Sequence, residues 1–162
     1  MRKNTVYKTF VRPIFEYGSV VWDPHQQSKI SEIEKVQKRA ARFVTGNYEL
    51  THGSTASNLS QLGWATLSDR RAIGKLKMFY KATSGLADIP TSDLIPTAPG
   101  TRRGSDEEYR IPYSRVNAHL HSYYPSTLRL WNSLPHWIRG CPDFLSFGSA
   151  LENHYHKNYT ND

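Results

Sequence analysis

Residues 31–46 read SEIEKVQKRAARFVTG, and the class of the fold turns on this stretch. At about 100° per residue, Ile30, Ile33, Val36, Ala40, Phe43 and Val44 fall within an arc of roughly 140°. Lys35, Lys38, Arg39 and Arg42 fall within roughly 100° on the opposite side. One face is built to pack and the other is uniformly basic, with only Glu32 and Glu34 at its flanks. Ser31 with Glu34 fits a capping box, although Asp23-Pro24 or Ser28 are also candidate starts. Gly46, followed by Asn47, is suited to a left-handed helix stop.

Upstream, residues 4–22 read NTVYKTFVRPIFEYGSVVW, with apolar side chains at 6, 7, 10, 11, 14, 15, 17 and 21. That rhythm predicts an amphipathic helix with Asn4 as its N-cap. Pro13 lies inside the pattern; it lacks an N–H and clashes with the preceding turn, so a kink or break is expected there. Downstream, residues 51–63 predict a short polar helix ending at Gly63, anchored by Leu59, Leu62 and Trp64. Residues 66–85 repeat the two-faced design. Thr66 and Asp69 form a second capping box, and Gly85 is the stop. Ala72, Ile73, Leu76, Phe79, Tyr80 and Thr83 make the apolar stripe. Arg70, Lys77 and Lys81 share a basic face, with Arg71 and Lys75 nearby.

The character changes at residue 86. Residues 86–108 are rich in Pro, Gly, Ser and Thr and read as an exposed linker or lid. Residues 109–124 are aromatic and extended, the pattern of a short β-hairpin. Beyond them a helix is expected to open at Pro125, break at Pro135 and restart near Pro142-Asp143. Phe144, Phe147, Leu151 and Tyr155 form the stripe of the last helix. The fold class expected is mainly α. A basic helical domain spans 1–85, a linker 86–108, and an irregular aromatic segment with two short helices 109–162.

The totals agree with one ordinary domain or two small helical ones. The chain has 162 residues with 38% hydrophobic and 12% aromatic content, so much of the core must be aromatic. Mean hydropathy is −0.63. No apolar run approaches the length of a membrane span, and no membrane partner is expected. The lone Cys141 excludes an internal disulfide and a Cys-cluster zinc site, which fits an intracellular setting, nuclear or cytoplasmic. The net charge of +7 is unevenly placed. Residues 1–85 carry 14 Lys and Arg against 6 Asp and Glu, a net of +8; the remainder is close to neutral. A half-chain this basic points to nucleic acid or an anionic surface, the alternative being a merely solvated basic face.

Little in the chain resembles catalytic machinery. A two-metal polymerase or nuclease needs clustered carboxylates, and there is no Asp-Asp pair. Asp106-Glu107-Glu108 lies in a loop-like stretch. His119 and His121 would share a face only on a strand, and His154 and His156 diverge on a helix. No phosphate loop or nucleophile elbow is present. No cofactor, no metal and no catalytic residue are expected, so the chain reads as a non-enzyme. Tyr123, Tyr124, Trp131 and Trp137 are the residues that could stack bases; Trp131, three residues from both Leu128 and Leu134, reads instead as a core anchor.

Five strings in order carry a resemblance. They are YKTFVRPIFEYGSVVWDP, IEKVQKRAARFVTG, LSQLGWATLSDRR, KMFYKAT and YYPSTLRLWNSLP. Together they are similar to the segment that follows the reverse transcriptase domain in non-LTR (LINE-type, jockey-like) retrotransposon polyproteins. The resemblance implies a mostly helical thumb extension that contacts RNA template and copied DNA. The paired aspartates of the polymerase palm are missing, as are the fingers, the endonuclease and any Cys/His knuckle. The chain opens at a Met just before the first string and so reads as a detached or truncated piece, such as an open reading frame from a decayed element. The implied role is sequence-independent binding of RNA, DNA or hybrid by Lys35, Lys38, Arg39, Arg42, Arg70, Lys77 and Lys81. The upstream reverse transcriptase domain is a further expected partner, with Val11, Phe15, Val20 and Trp22 as the residues that would pack on it. The alternative is a scaffold whose charges only solvate it.

Overall fold

The N-terminal helix changes pitch on its way to Pro13. The computed structural model describes residues 2–49, 51, 53–97 and 108–157 (side chains of residues 2, 55 and 157 excepted). It begins with α1 (Arg2–Val6), a π-helical segment (Tyr7–Val11) and α2 (Arg12–Glu16). Arg12 N–H donates to the Tyr7 carbonyl five residues back. In an α-turn the Pro13 ring would strike the carbonyl of Thr9. The wider turn just before Pro13 absorbs that conflict, so the expected break takes the form of a π segment. Asn4 lies inside α1 and is not its cap. Tyr17 leaves the helix, Gly18 turns the chain at φ 60°, and α3 (Ser19–Trp22) follows.

The basic stretch is one long helix, α4 (Gln27–Thr45), closed by Gly46 at φ 75° with its N–H on the Arg42 carbonyl at 2.8 Å. The capping box assigned to Ser31 and Glu34 is corrected. The helix starts earlier, and Glu34 accepts the Ser68 N–H at 2.7 Å, at the start of another helix. That helix is α6 (Leu67–Thr83), preceded by α5 (Ser54–Leu62). Thr66 caps α6: its hydroxyl accepts the Asp69 N–H at 3.1 Å and donates to the Asp69 carboxylate at 2.5 Å.

The remaining helices are α7 (Asn117–Leu120), α8 (Tyr123–Ser133), α9 (His136–Arg139) and α10 (Phe144–Lys157). The described residues are mainly α-helical and form no strand or sheet. The expected hairpin over 109–124 is absent. Among the described residues the one bridge joins Tyr109 to Pro96, outside that span, and is isolated and antiparallel, with Thr97 N–H on the Glu108 carbonyl at 2.7 Å. Pro112 lacks a ladder donor, and residues 117–120 coil into α7 instead.

Contacts divide the chain into two units, one reaching to Arg71 and joined by the segment from Tyr155, the other Ala72–His154. The composition shift at residue 86 falls inside the second unit. In the first unit Tyr7 stacks on Trp64 with centroids 4.3 Å apart. Ala41 completes this core, and Val11, Ala40, Val44, Leu59 and Leu62 pack around it. The packed face of α4 therefore centres on Gln37 and Ala41. Gln37 is tolerated there because its Nε2 donates to the Ala65 carbonyl at 2.8 Å. Phe43, assigned to the apolar arc, is 53% exposed.

The core of the second unit is aromatic, as the composition requires. Phe79 lies 5.0 Å from Trp131, Tyr80 stacks on Phe147 at 4.5 Å, and Trp131 meets Phe147 at 5.7 Å between centroids. Leu76, Leu128, Leu134, Ile138 and Leu151 fill the space between. Such burial of large rings is the main favourable contribution to this unit.

Candidate nucleic-acid interface

The face of α4 opposite Gln37 and Ala41 presents Lys35, Lys38 and Arg39, all exposed. None of the three has an ion-pair or hydrogen-bond partner among the described residues. Both flanking carboxylates are engaged elsewhere. Glu32 pairs with Lys29 at 3.2 Å, and Glu34 holds the Ser68 N–H. Neither forms an ion pair with Lys35, Lys38 or Arg39 among the described residues. Arg42, at the end of the arc, is half-buried with its Nε out of solvent. Lys3 reaches toward α4 from α1, its Nζ 3.4 Å from the Phe43 carbonyl and 4.6 Å from the centre of the Phe43 ring.

The basic residues of α6 have different surroundings. Arg70 holds Glu16 through two nitrogens, with Nη2 to Oε2 at 3.1 Å. Glu16 also lies 3.3 Å from Arg12. Arg71, placed near a basic face by the sequence pattern, is 1% exposed and pairs with Asp23 at 2.7 Å. In the second unit Lys75 is also buried and reaches Ser126 Oγ at 3.4 Å. Lys77 pairs with Glu152 at 2.6 Å, its stem lying 3.4 Å from where a Cβ on Gly148 would stand. Lys81 lies over the Phe144 ring at 4.7 Å. The periodicity of α6 gave no sign of this, because the carboxylates come from distant segments.

The aromatic residues divide likewise. Trp131 is 4% exposed and is a core residue. Tyr123 and Tyr124 are half-buried, their hydroxyls donating to the Lys75 and Pro90 carbonyls at 3.3 and 2.6 Å. Burial pushes the Tyr123 phenol up. Trp137 alone of the four is largely exposed, at 54%.

The remaining chemical groups are dispersed. Glu108 accepts from Arg139 Nη1 at 2.9 Å, while Asp106 and Glu107 lie outside the described residues. His119 sits on α7 and its Nδ1 meets Ser114 Oγ at 2.8 Å, with His121 as the C-cap. Both histidines are thus in a helical turn rather than on a strand. A cavity of about 330 Å³ beside His119 is lined mainly by Pro90, Leu94, Pro112, Tyr124 and Leu128. Burial and the neighbouring Asp143 carboxylate push the Cys141 thiol up. Among the described residues no group of three or more His, Cys, Asp or Glu is placed to hold a metal ion, and no helix is long and apolar enough to cross a membrane.

The sequence pattern missed one surface. Val6, Phe10, Ile14, Tyr17 and Val21 are each more than half exposed. The residues expected to face a partner lie differently: Val11, Phe15 and Val20 are half-buried, and Trp22 is 41% exposed. No family model, no curated protein and no solved structure matches the chain.

Proposed function

We propose that the chain is a non-catalytic, nucleic-acid-binding C-terminal portion of a non-LTR retrotransposon RNA-directed DNA polymerase, acting inside the cell. The observation that carries the binding half of this reading is the exposed triad Lys35, Lys38 and Arg39 on α4. Three cations aligned on one helix face, with their flanking carboxylates turned elsewhere, suit a phosphate backbone. Solvation alone does not require a single sign, since Gln and Glu are equally good helix formers. Contact with phosphates releases condensed counterions and carries no base information. The expected ligand is therefore duplex, RNA or RNA–DNA hybrid, without sequence preference. The polymerase half of the reading rests on the five ordered strings.

The seven candidate cations do not contribute equally in this reading. Lys35, Lys38 and Arg39 make the contact, and Arg42 supports it from the edge. Arg70 and Lys77 are already paired with carboxylates, and this observation favours a scaffold role for α6. Fluorescence anisotropy with labelled duplexes of unrelated sequence, titrated with NaCl, tests the proposal. Similar affinities with a steep, linear fall of log K against log salt are expected. Absence of binding at low salt, or binding indifferent to salt, contradicts it.

A further inference from the structure

The basic row of α4 ends in an aromatic ring that stands in the open. Lys35, Arg39 and Phe43 are spaced four apart, and residues so spaced are neighbours on a helix surface. Phe43 therefore continues the line of exposed cations toward the C-terminus of α4, about 6 Å beyond Arg39 along the axis. Its ring is 53% exposed. It is also held in place. Phe43 belongs to the last turn of α4, where carbonyls lack intrahelical donors. Lys3 Nζ reaches its carbonyl at 3.4 Å and stands 4.6 Å from the ring centre. A half-open ring is thus bordered by Lys3 and Arg39, with Lys35 and Lys38 one turn further on.

A single exposed apolar side chain needs no explanation by itself. A flat ring set among cations is a more specific arrangement, because it supplies both halves of a single-strand site: charges for the phosphates and a platform for a base. We propose that Phe43 stacks an unpaired base of a strand whose phosphates lie along Lys35, Lys38 and Arg39. The ligand class of this face is accordingly single-stranded nucleic acid, including the unpaired stretch beside a duplex, and a fully paired duplex binds it less tightly. This inference rests on the nucleic-acid reading of α4 and adds a base contact to it. Inside a duplex both faces of a base are covered, and freeing one costs unstacking. Stacking is sequence-tolerant because every base has a π-face, which agrees with phosphate contacts that carry no base information.

The surroundings favour this occupant over others. An apolar segment, whether a preceding stretch of a longer protein or another chain, would cover Lys35, Lys38 and Arg39 without giving them carboxylates, and burying unpaired charge is costly. An acidic segment answers the cations but brings no flat group for the ring. Lys3 does not block the ring, since a compact charge on a flexible four-carbon stem can turn to the strand's phosphate. Trp137 lacks the same setting. It is as exposed as Phe43, at 54%, but Arg139, two residues on, is buried and paired with Glu108 at 2.9 Å.

The test is fluorescence anisotropy of the full chain with labelled probes of equal length: a thymidine strand, an abasic strand of the same backbone and a blunt duplex. The wild type is expected to bind the thymidine strand most tightly. Phe43→Leu keeps the apolar bulk and removes the flat ring. It is expected to weaken binding of the thymidine strand on the order of tenfold. Binding of the abasic strand and the duplex, and the slope of log K against log salt, should not change. Phe43→Trp should keep the affinity, and its fluorescence in excess of the wild type should be quenched by the thymidine strand and not by the abasic one. Unchanged thymidine-strand affinity in a folded Phe43→Leu protein overturns the inference, as does equal loss on all three probes. An oligoglutamate peptide that depends on Phe43 as strongly as the thymidine strand does overturns it in favour of an acidic segment. If the glutamine variants of Lys35, Lys38 and Arg39 flatten the salt slope while Phe43→Leu changes nothing, phosphate contact stands and stacking falls. Absence of binding to every probe removes both.

Discussion

Arg70 holds the carboxylate of Glu16 through both Nε and Nη2, the second at 3.1 Å, so this cation closes an internal fork. A forked guanidinium–carboxylate pair is geometrically specific, and a half-exposed one contributes modestly. Arg70→Gln is expected to lower stability by about 1 kcal/mol and to leave the salt dependence of nucleic-acid binding unchanged. Urea unfolding and a salt titration of the same variant measure both. A weakened salt slope at full stability returns Arg70 to the interface.

Arg71 and Asp23 form a more deeply buried pair, with the Arg71 side chain 1% exposed. Removing one member strands a charge out of water, which costs about 3–5 kcal/mol. Asp23→Ala is expected to lose stability on that scale. Adding Arg71→Met to Asp23→Ala should recover much of the loss, because the stranded charge is gone. A double variant no more stable than the single one shows that charge burial is not the cause.

Trp131 touches Phe79 and Phe147 and is 4% exposed. Trp131→Ala is expected to cost about 3–5 kcal/mol through lost burial and the cavity left behind. A variant that stays folded and stable while single-strand binding weakens assigns Trp131 to base stacking instead.

Burial against Trp64 pushes the Tyr7 phenol from its ordinary 10.0 up to about 12. The folded state thus favours the neutral phenol. Its contribution is fully present below the unfolded value of 10.0 and is lost as pH rises toward about 12. Stability should fall across that alkaline window, and Tyr7→Phe, which keeps the ring stack, should flatten the fall. Denaturant midpoints followed from neutral to strongly alkaline pH measure it. Identical slopes for the two proteins contradict the assignment.

What was legible in the sequence is local. The two-faced character of α4, its glycine stop, the Thr66 cap and the aromatic core of the second unit all depend on residues within a few positions or on composition. What was not legible depends on partners distant in sequence. Glu34 is three residues from Ser31, the spacing of a capping box, yet Ser68 takes it. Arg70 and Lys77 share a face of α6, and Glu16 and Glu152 decide their state. Gln37 is polar on the wheel and buried because the Ala65 carbonyl meets it. Pro13 signalled a disturbance, but whether it is met by a kink, a break or the π segment observed depends on the packing of Tyr7 against Trp64, which is distant in sequence.

The proposed function stands on contact between the basic face of α4 and a phosphate backbone. The most direct measurement is the salt dependence of binding to a duplex or hybrid for the wild type and for the triple variant Lys35→Gln, Lys38→Gln and Arg39→Gln. These side chains are exposed, so helix content should be unchanged. Each lost phosphate contact lowers the slope of log K against log salt by about 0.9, so a fall of up to about 2.7 is predicted, with weaker binding at low salt. An unchanged affinity and slope in a folded triple variant would mean that the face is only solvated and that the chain is a scaffold.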